Sequence, residues 1–250
     1  RMMGYGPDLH RIWVGTSDGL YLIEEMKINP ISGFEGLDIT SISLSKESNL
    51  FIGSRNSGLY ILNMQGEIVQ LTTDTSPSIA SNQVNSVLTR GNSDIWIATN
   101  SGLTFYYPTT NTATNYQYDF NNVFGLSDHE VRHLYLDKSE EIWMTTPLGG
   151  INFFHESDNQ FDYYGQKTST AQSDELMDYN VLSIHTDKPN NELWIGSRAG
   201  LSNYSEDKDL FTHYPFQIDG KHINNQILSI VKGDNGIFWL GTEKGLFTWN

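Results

Sequence analysis

The sequence predicts an all-β protein, a β-propeller built from four-stranded blades. Three observations support this prediction. A segment with one aromatic residue, Trp in five copies and Phe in one, occurs six times, a second apolar motif precedes five of these copies, and turn residues divide each repeat into four short strands. Four strands in a repeat of about 40 to 50 residues are typical of propeller blades. A β-sandwich is the rival architecture, but a sandwich does not require six copies of one segment.

The first strand of a repeat carries an apolar-x-Ser-apolar motif. Its copies are Ile39–Ile42, Val84–Val87, Val131–Leu134 (with His in place of Ser), Val181–Ile184 and Ile227–Ile230. The serines recur, so we interpret them as structural. Trp13 has no such motif before it and no fourth strand follows Trp249, so both ends of the repeat array are predicted to be incomplete.

The second strand contains one aromatic residue, which we call the anchor. The anchors are Trp13, Phe51, Trp96, Trp143, Trp194 and Trp239, separated by 38, 45, 47, 51 and 45 residues. The first-strand motif ends nine residues before the anchor in four copies and ten in the other. Because the blades of a propeller stack on one another, the anchors are predicted to be buried between blades.

A glycine closes the turn between the second and third strands. The glycines are Gly19, Gly58, Gly102, Gly150, Gly200 and Gly245, at positions where a positive φ is cheap only for glycine. A hydroxyl residue stands three positions after each anchor: Thr16, Ser54, Thr99, Thr146, Ser197 and Thr242. A group repeated in every blade is interpreted as structural, because a catalytic serine is expected in one blade only, paired with a histidine. The third strand then follows the glycine, and the fourth is rich in Tyr and Phe.

Composition excludes several functions. The net charge is −15, which repels phosphate backbones, so no nucleic-acid partner is expected. The chain has no cysteine, which excludes disulfides, thiolate metal sites and a cysteine nucleophile. No apolar run reaches the roughly 18 residues of a membrane span, and the first residues lack the apolar core of a signal peptide.

The joined motifs resemble the two-component regulator propeller repeat. The best copies are Asn180–Asp187 with Leu193–Leu201, and Gln226–Ile230 with Trp239–Leu246. The resemblance implies a non-catalytic, periplasmic sensor region of a Bacteroidetes-type hybrid two-component system, reached through a signal peptide. It also implies an oligosaccharide ligand, no cofactor, the remainder of the sensor chain as partner, and a homodimer of the full-length protein.

The chain departs from that family in its extent. Full sensors of the family carry two seven-bladed propellers, a small β-sandwich, a transmembrane helix and a kinase. Only six repeats are visible here. Residues 1–250 are therefore predicted to form a single β-propeller domain, a fragment of a seven-bladed propeller or of a larger array.

The strand order predicts where a ligand binds. In antiparallel four-stranded blades the second-to-third turns and the fourth-to-first connections emerge on one face, and loops on a rigid scaffold commonly carry function. The candidate ligand-binding residues on that face are Asp18, Arg55, Asn56, Asn100, Phe124, His129, Tyr179, Arg198, His222 and Lys244. The opposite face is expected to be hydrophilic, as in residues 206–209. The alternative for Arg55 and Arg198 is that they merely offset the acidic surface.

Two other function classes stay open. A propeller enzyme acting on glycans, a lyase or a glycoside hydrolase, would recruit acids such as Asp18, Asp128 and Glu243. A scaffold for protein partners is compatible with the acidic surface. His129 and His133 have the spacing of a helical zinc pair, but they bracket the start of a strand, so no metal is expected.

Overall fold

The computed structural model describes a chain composed of β-strands and loops. The described residues are 2–5, 11–91, 94–122, 124–137, 140–155, 160–164, 176–187, 190–205, 207–208, 210–215, 217–218, 221–222, 225–233 and 236–249. Within these ranges no helix has the length and hydropathy of a membrane span. The chain divides into two compact units, residues 1–119 with 129–134, and residues 120–128 with 135–250.

The first unit contains three antiparallel sheets of four strands each. Their strands are β1 (Met2–Tyr5), β2 (Arg11–Thr16), β3 (Gly19–Glu24), β4 (Lys27–Pro30), β5 (Ile39–Leu44), β6 (Leu50–Ser54), β7 (Leu59–Leu62), β8 (Ile68–Leu71), β9 (Val84–Arg90), β10 (Asp94–Thr99), β11 (Gly102–Tyr107) and β12 (Thr112–Tyr116). Strands pair in chain order within each sheet. This is the strand arrangement that the repeats predict.

The described residues of the second unit form three larger sheets and one two-stranded sheet. The division between the units falls in β13 (His133–Leu136), which begins a four-stranded sheet. The other strands are β14 (Ile142–Thr146), β15 (Gly150–His155), β16 (Gln160–Tyr164), β17 (Val181–Asp187), β18 (Glu192–Ser197), β19 (Gly200–Ser205), β20 (Leu210–Pro215), β21 (Gln217–Ile218), β22 (Lys221–His222), β23 (Ile227–Lys232), β24 (Phe238–Thr242) and β25 (Gly245–Trp249). The last sheet has three described strands, and β21 and β22 form a small hairpin before it.

The first sheet has a strand before Trp13 that the repeated motif does not mark. Met2–Tyr5 forms β1 and pairs with β2, although it lacks the apolar-x-Ser-apolar motif. Backbone hydrogen bonds join these strands, and such bonds do not depend on side-chain identity. The number of blades in a complete propeller, and a single domain over residues 1–250, stay predictions.

Adjacent sheets within a unit interlock through the first-strand motif. Val84, which opens β9, lies over Gly53 of β6, where an added Cβ would come within 2.6 Å of a Val84 methyl group. Ser41 of β5 accepts a hydrogen bond from the Val87 backbone at 2.8 Å. In the second unit, the Ser183 hydroxyl donates to the carbonyl of Ile227 at 3.0 Å. The repeated serines are thus structural, as predicted.

The six repeated hydroxyl residues share one structural role, which we call the hydroxyl clasp. Each hydroxyl donates to the carbonyl of the glycine that closes its turn. The donor–acceptor pairs are Thr16–Gly19, Ser54–Gly58, Thr99–Gly102, Thr146–Gly150, Ser197–Gly200 and Thr242–Gly245, at 2.8 to 3.1 Å. All six glycines have positive φ. At Gly102 a side chain is also excluded by space, because a Cβ would lie 2.2 Å from the carbonyl oxygen of Tyr116.

We expect Thr99→Val to lower the free energy of unfolding by about 1–2 kcal/mol, because it removes a hydroxyl without changing the size of the side chain. Thr99 is fully buried, and its hydroxyl also accepts from the backbone N–H of Ser101 at 3.1 Å. The matched control is Thr242→Val, where the equivalent bond is exposed and water can replace it. Urea denaturation measures both variants. Equal losses would show that burial of the clasp contributes nothing.

Four of the six anchors are buried as predicted: Phe51, Trp96, Trp143 and Trp194. Trp13 is half-buried. The prediction is wrong for Trp239, which is 43% exposed. In the second unit no described sheet follows β23–β25, so no sheet of that unit covers its outer surface.

The turns between third and fourth strands correct a further expectation. They were expected to be hydrophilic, but two of them in the first unit present large exposed apolar side chains, Met26 and Met64. Of the turn used as the example, residues 206 and 209 lie outside the described residues, while Asp207 and Lys208 are exposed.

Candidate functional site

The second-to-third turns lie beside the fourth-to-first connections in each unit, as the strand order predicts. In the first unit, the backbone N–H of Arg55 donates to the carbonyl of Asp38 at 2.9 Å, and that of Asn100 to Gln83 at 3.3 Å. In the second unit, the N–H of Glu243 donates to Gln226 at 3.3 Å. Each of these three turns is therefore adjacent to the connection before its own first strand.

The first unit holds five candidate residues, and several of these side chains interact within the protein. The Arg55 guanidinium forms an ion pair with Asp38 at 2.6 Å. The Asn100 amide donates to the Gln83 side chain at 3.3 Å. The His129 ring lies 4.6 Å from the Tyr118 ring, centroid to centroid. Asp18 and Asn56 are exposed on their turns.

The second unit holds the other five candidates. Phe124 and Lys244 are exposed, and His222 lies on β22, with its side chain outside the described part of the structure. Tyr179 and Arg198 are the two predicted residues that line a common cleft. The remainder of the 165–180 connection, up to residue 175, is not described.

The cleft has a volume of about 370 Å³ and lies between two turns and one connection of the second unit. Its lining consists of Pro147, Leu148, Asp178, Tyr179, Asn180, Arg198 and Ala199. Sequence reasoning missed Leu148, Asp178 and Asn180. Asp178 and Asn180 could have been found from their positions, because they flank Tyr179 directly before a first strand.

The Leu148 side of the cleft is fixed by a dense set of hydrogen bonds. The backbone N–H of Leu148 donates to the Asp128 carboxylate at 2.9 Å. Ser127, next to it, accepts from the Asn152 amide at 2.7 Å and donates its backbone N–H to the same amide's oxygen at 3.0 Å. Leu148 itself is 80% exposed. An apolar side chain held in water by a rigid turn is an available contact for a ligand.

The opposite side of the cleft is equally well ordered. Arg198 sits between Ser197 and Ala199 in a clasped turn, in which the Ser197 hydroxyl also accepts from the Ala199 backbone at 3.2 Å. Tyr179 packs against a core cluster that includes Trp143 and Leu176. The Asp178 carboxylate accepts from the backbone N–H of Asn180 at 2.8 Å. These contacts fix the Tyr179 ring, the Asp178 carboxylate and the backbone that carries Arg198 around one space.

A larger groove of about 460 Å³ lies in the first unit. It is lined mainly by aliphatic residues of the first two sheets, with Trp13 at one side, and includes Leu22, Leu44, Leu62, Met64 and Ile68. Its one arginine, Arg11, is paired with Glu24 at 2.7 Å. Its polar lining residues also include Ser32, Ser48 and Asn63, and the Asn63 amide donates to the Glu67 carboxylate at 2.7 Å. The groove contains none of the candidate ligand-binding residues, whereas the smaller cleft contains two.

The residues considered for catalysis have structural roles or are simply exposed. Asp128 holds the Leu148 turn, and the six hydroxyls hold their own turns. Burial lowers the pKa of His133, so its imidazole is neutral at pH 7. Within the described residues, no group of three or more His, Cys, Asp or Glu is placed to hold a metal ion.

No protein-family model matches the chain, and no curated protein matches its sequence. Solved structures do match. The extracellular domain of BT4673, assigned as a one-component system from B. thetaiotaomicron, aligns with a TM-score of 0.78 at 20% identity, over 100% of this chain and 31% of that one. The extracellular domain of BT3049, assigned as a hybrid two-component system from B. thetaiotaomicron, aligns with a TM-score of 0.71 at 25% identity, over 85% and 28%.

The predicted resemblance is confirmed. The chain is similar in structure to extracellular sensor regions of Bacteroidetes type, and this similarity supports an extracytoplasmic location. It spans less than a third of the length of those two chains. Virginiamycin B lyase from Staphylococcus aureus also aligns, with a TM-score of 0.67 at 12% identity over 99% of this chain and 82% of that one. The fold alone therefore does not separate a sensor from an enzyme.

Proposed function

We propose that the chain is the ligand-sensing region of a hybrid two-component sensor. It binds an oligosaccharide in the cleft between Leu148, Tyr179 and Arg198, leaves the sugar chemically unchanged, and signals to a kinase that lies outside this chain. The similarity to extracellular sensor domains supports the sensor class. The cleft itself supports the ligand class.

The observation that carries the proposal is the composition of the cleft. A pyranose offers C–H groups on its faces and hydroxyl groups around its rim. Tyr179 and Leu148 supply apolar surface for the C–H groups, and Asp178, Asn180 and Arg198 supply acceptors and donors for the hydroxyls. Small-molecule sites typically have a small number of precisely placed polar groups within an apolar surface.

The described residues that line the cleft include no pair of carboxyl groups that could act as acid and base. Asp178 is the one carboxylate among its described lining residues, and one of its oxygens is engaged by the Asn180 backbone. General acid–base cleavage of a glycoside commonly uses two carboxylates. This favours binding without turnover over the enzyme alternative.

We expect Arg198→Ala and Tyr179→Ala to weaken binding of the recognised oligosaccharide about tenfold or more, because each removes a direct contact. Titration calorimetry against a glycan panel measures affinity, and chromatography of the same mixtures detects products. Arg55→Ala is expected to have a smaller effect, since its guanidinium is already bound to Asp38.

The matched control is Lys208→Ala, an exposed cation on a third-to-fourth turn. Product formation would overturn the sensor proposal in favour of an enzyme. If only Lys208→Ala weakens binding, the ligand binds at the turns between third and fourth strands.

A further inference from the structure

We infer that the cleft selects an oligosaccharide that carries a carboxylate, a uronic acid, through the guanidinium of Arg198. This inference rests on the proposed function and specifies its ligand. It follows from the charges around Arg198 and from a comparison of equivalent positions in two repeats.

Arg198 differs from the other described arginines in its surroundings. Arg11, Arg55, Arg90 and Arg132 each form an ion pair with a carboxylate, at 2.6 to 3.1 Å. Arg198 forms none with a described residue, although the chain has 30 acidic residues to 15 basic ones. An arginine without a carboxylate partner, held in a cleft of so acidic a protein, is a site for an external anion.

The repeat shows why Arg198 lacks that partner. Arg55 and Arg198 occupy the same position, directly after the clasp residues Ser54 and Ser197. Arg55 is bound by Asp38, the residue directly before the first strand β5. The equivalent residue before β17 is Asn180. The chain thus has a neutral amide where the earlier repeat has the pairing carboxylate.

The geometry of arginine points to a carboxylate. Its planar guanidinium donates two parallel hydrogen bonds to a carboxylate, and such charge-assisted pairs are stronger than bonds to a neutral hydroxyl. The clasped turn restricts the backbone that carries Arg198. Because less freedom is lost on binding, more of the interaction appears as affinity.

The other residues of the cleft offer contacts to a sugar ring and restrict how many negative charges the ligand can carry. Tyr179 and Leu148 offer surface to a ring, while Asp178 accepts hydroxyl groups and forms no ion pair with Arg198. The described lining of the cleft has one arginine and one carboxylate, and the chain has a net charge of −15, so a ligand with many sulfates is disfavoured. One carboxylate per sugar matches the one arginine of that described lining.

The test uses di- and trisaccharides of galacturonate, glucuronate and mannuronate, each beside its methyl ester, with a sulfated disaccharide as a further arm. We expect one uronate to bind about tenfold or more tighter than its methyl ester, because the ester cannot form the charge-assisted pair with Arg198. Arg198→Ala should abolish that preference, so that the variant binds the acid and its ester equally well. Asn180→Asp should also abolish it, because the new carboxylate would pair with Arg198 as Asp38 pairs with Arg55.

The outcomes separate the inference from the proposed function. The uronate inference is overturned if an ester or a neutral sugar binds as tightly as the acid. If Tyr179→Ala still weakens binding of that sugar, the proposed function stays intact. A preference for the acid that survives both Arg198→Ala and Asn180→Asp, or a preference for the sulfated sugar, also overturns the inference. If no oligosaccharide binds, or if products form, the proposed function fails as well. Asp38→Asn is the reciprocal control, and it should leave the uronate preference unchanged.

Discussion

Replacing Trp194 with alanine is expected to lower the free energy of unfolding by about 3–5 kcal/mol, the range measured for large aromatic residues removed from protein cores. Trp194 is 5% exposed. Its ring centroid lies 4.6 Å from that of Phe238 and 4.9 Å from that of Trp249. Phe238 belongs to the next sheet, so the cavity opens where two sheets stack. Urea denaturation followed by circular dichroism measures the loss.

Trp239→Ala is the matched control for this prediction. It removes the same side chain from the equivalent position of the last sheet, where it is 43% exposed. We expect a loss below about 1.5 kcal/mol, because less apolar surface returns to water. Equal losses for the two variants would contradict the view that anchors stabilise the chain by filling space between sheets.

Lys232→Met is expected to lower the free energy of unfolding by roughly 2–4 kcal/mol at pH 7, because it breaks a mostly buried ion pair and leaves its acid uncompensated. The partner is Asp187 on the neighbouring sheet, whose side chain is 4% exposed, and Lys232 forms a short ion pair with it. Lys232 also lies over the Phe238 ring, 5.3 Å from its centroid. Lys208→Met serves as an exposed control of the same chemistry.

The stabilisation that the Lys232–Asp187 pair provides depends on pH. Burial raises the pKa of Asp187, but hydrogen bonds from Lys232 and Asn190 and the charges of Lys232 and His185 outweigh it, so the pKa is lowered. An acid with a lowered pKa in the folded state stabilises the protein above its unfolded pKa, about 4, and loses that contribution as the pH falls through the folded pKa.

The difference in unfolding free energy between wild type and Lys232→Met should therefore be smaller below about pH 4, where the wild type loses the contribution of Asp187, than at pH 7. A gap that stays constant over this range would show that the loss comes from packing against Phe238 and not from the charge pair.

Local features of the sequence predicted the sheets well. A positive φ at a glycine and a hydroxyl three residues after the anchor act over a single turn, so the hairpins follow from a few adjacent residues. The serines of the first-strand motif could also be interpreted correctly as structural, because they recur from repeat to repeat. β1 was missed because Met2–Tyr5 pairs with β2 without the motif that marks other first strands.

The site was only partly predictable, because its character depends on contacts between distant segments. Arg55 and Arg198 look alike in the sequence, and only the ion pair with Asp38 separates them. Leu148 gave no signal as a ligand contact, since its exposure depends on Asp128, which fixes its turn from 20 residues away. The exposure of Trp239 likewise reflects what stacks on its sheet and not its own repeat.

The hydroxyl clasp has a consequence for how this fold can change over evolution. Its bonds join the hydroxyl residue to main-chain atoms, so the side chains between it and the glycine take no part. These bonds stay in place whatever side chains the first, third and fifth turns carry, and these turns already differ: Ser17-Asp18 in the first, Asn100-Ser101 in the third, Arg198-Ala199 in the fifth. The fourth turn is more restricted, because a Cβ at Gly149 would lie 2.1 Å from the Ser127 hydroxyl oxygen. Natural selection or a laboratory library can therefore diversify these positions one turn at a time, much as antibodies vary their loops on a constant framework.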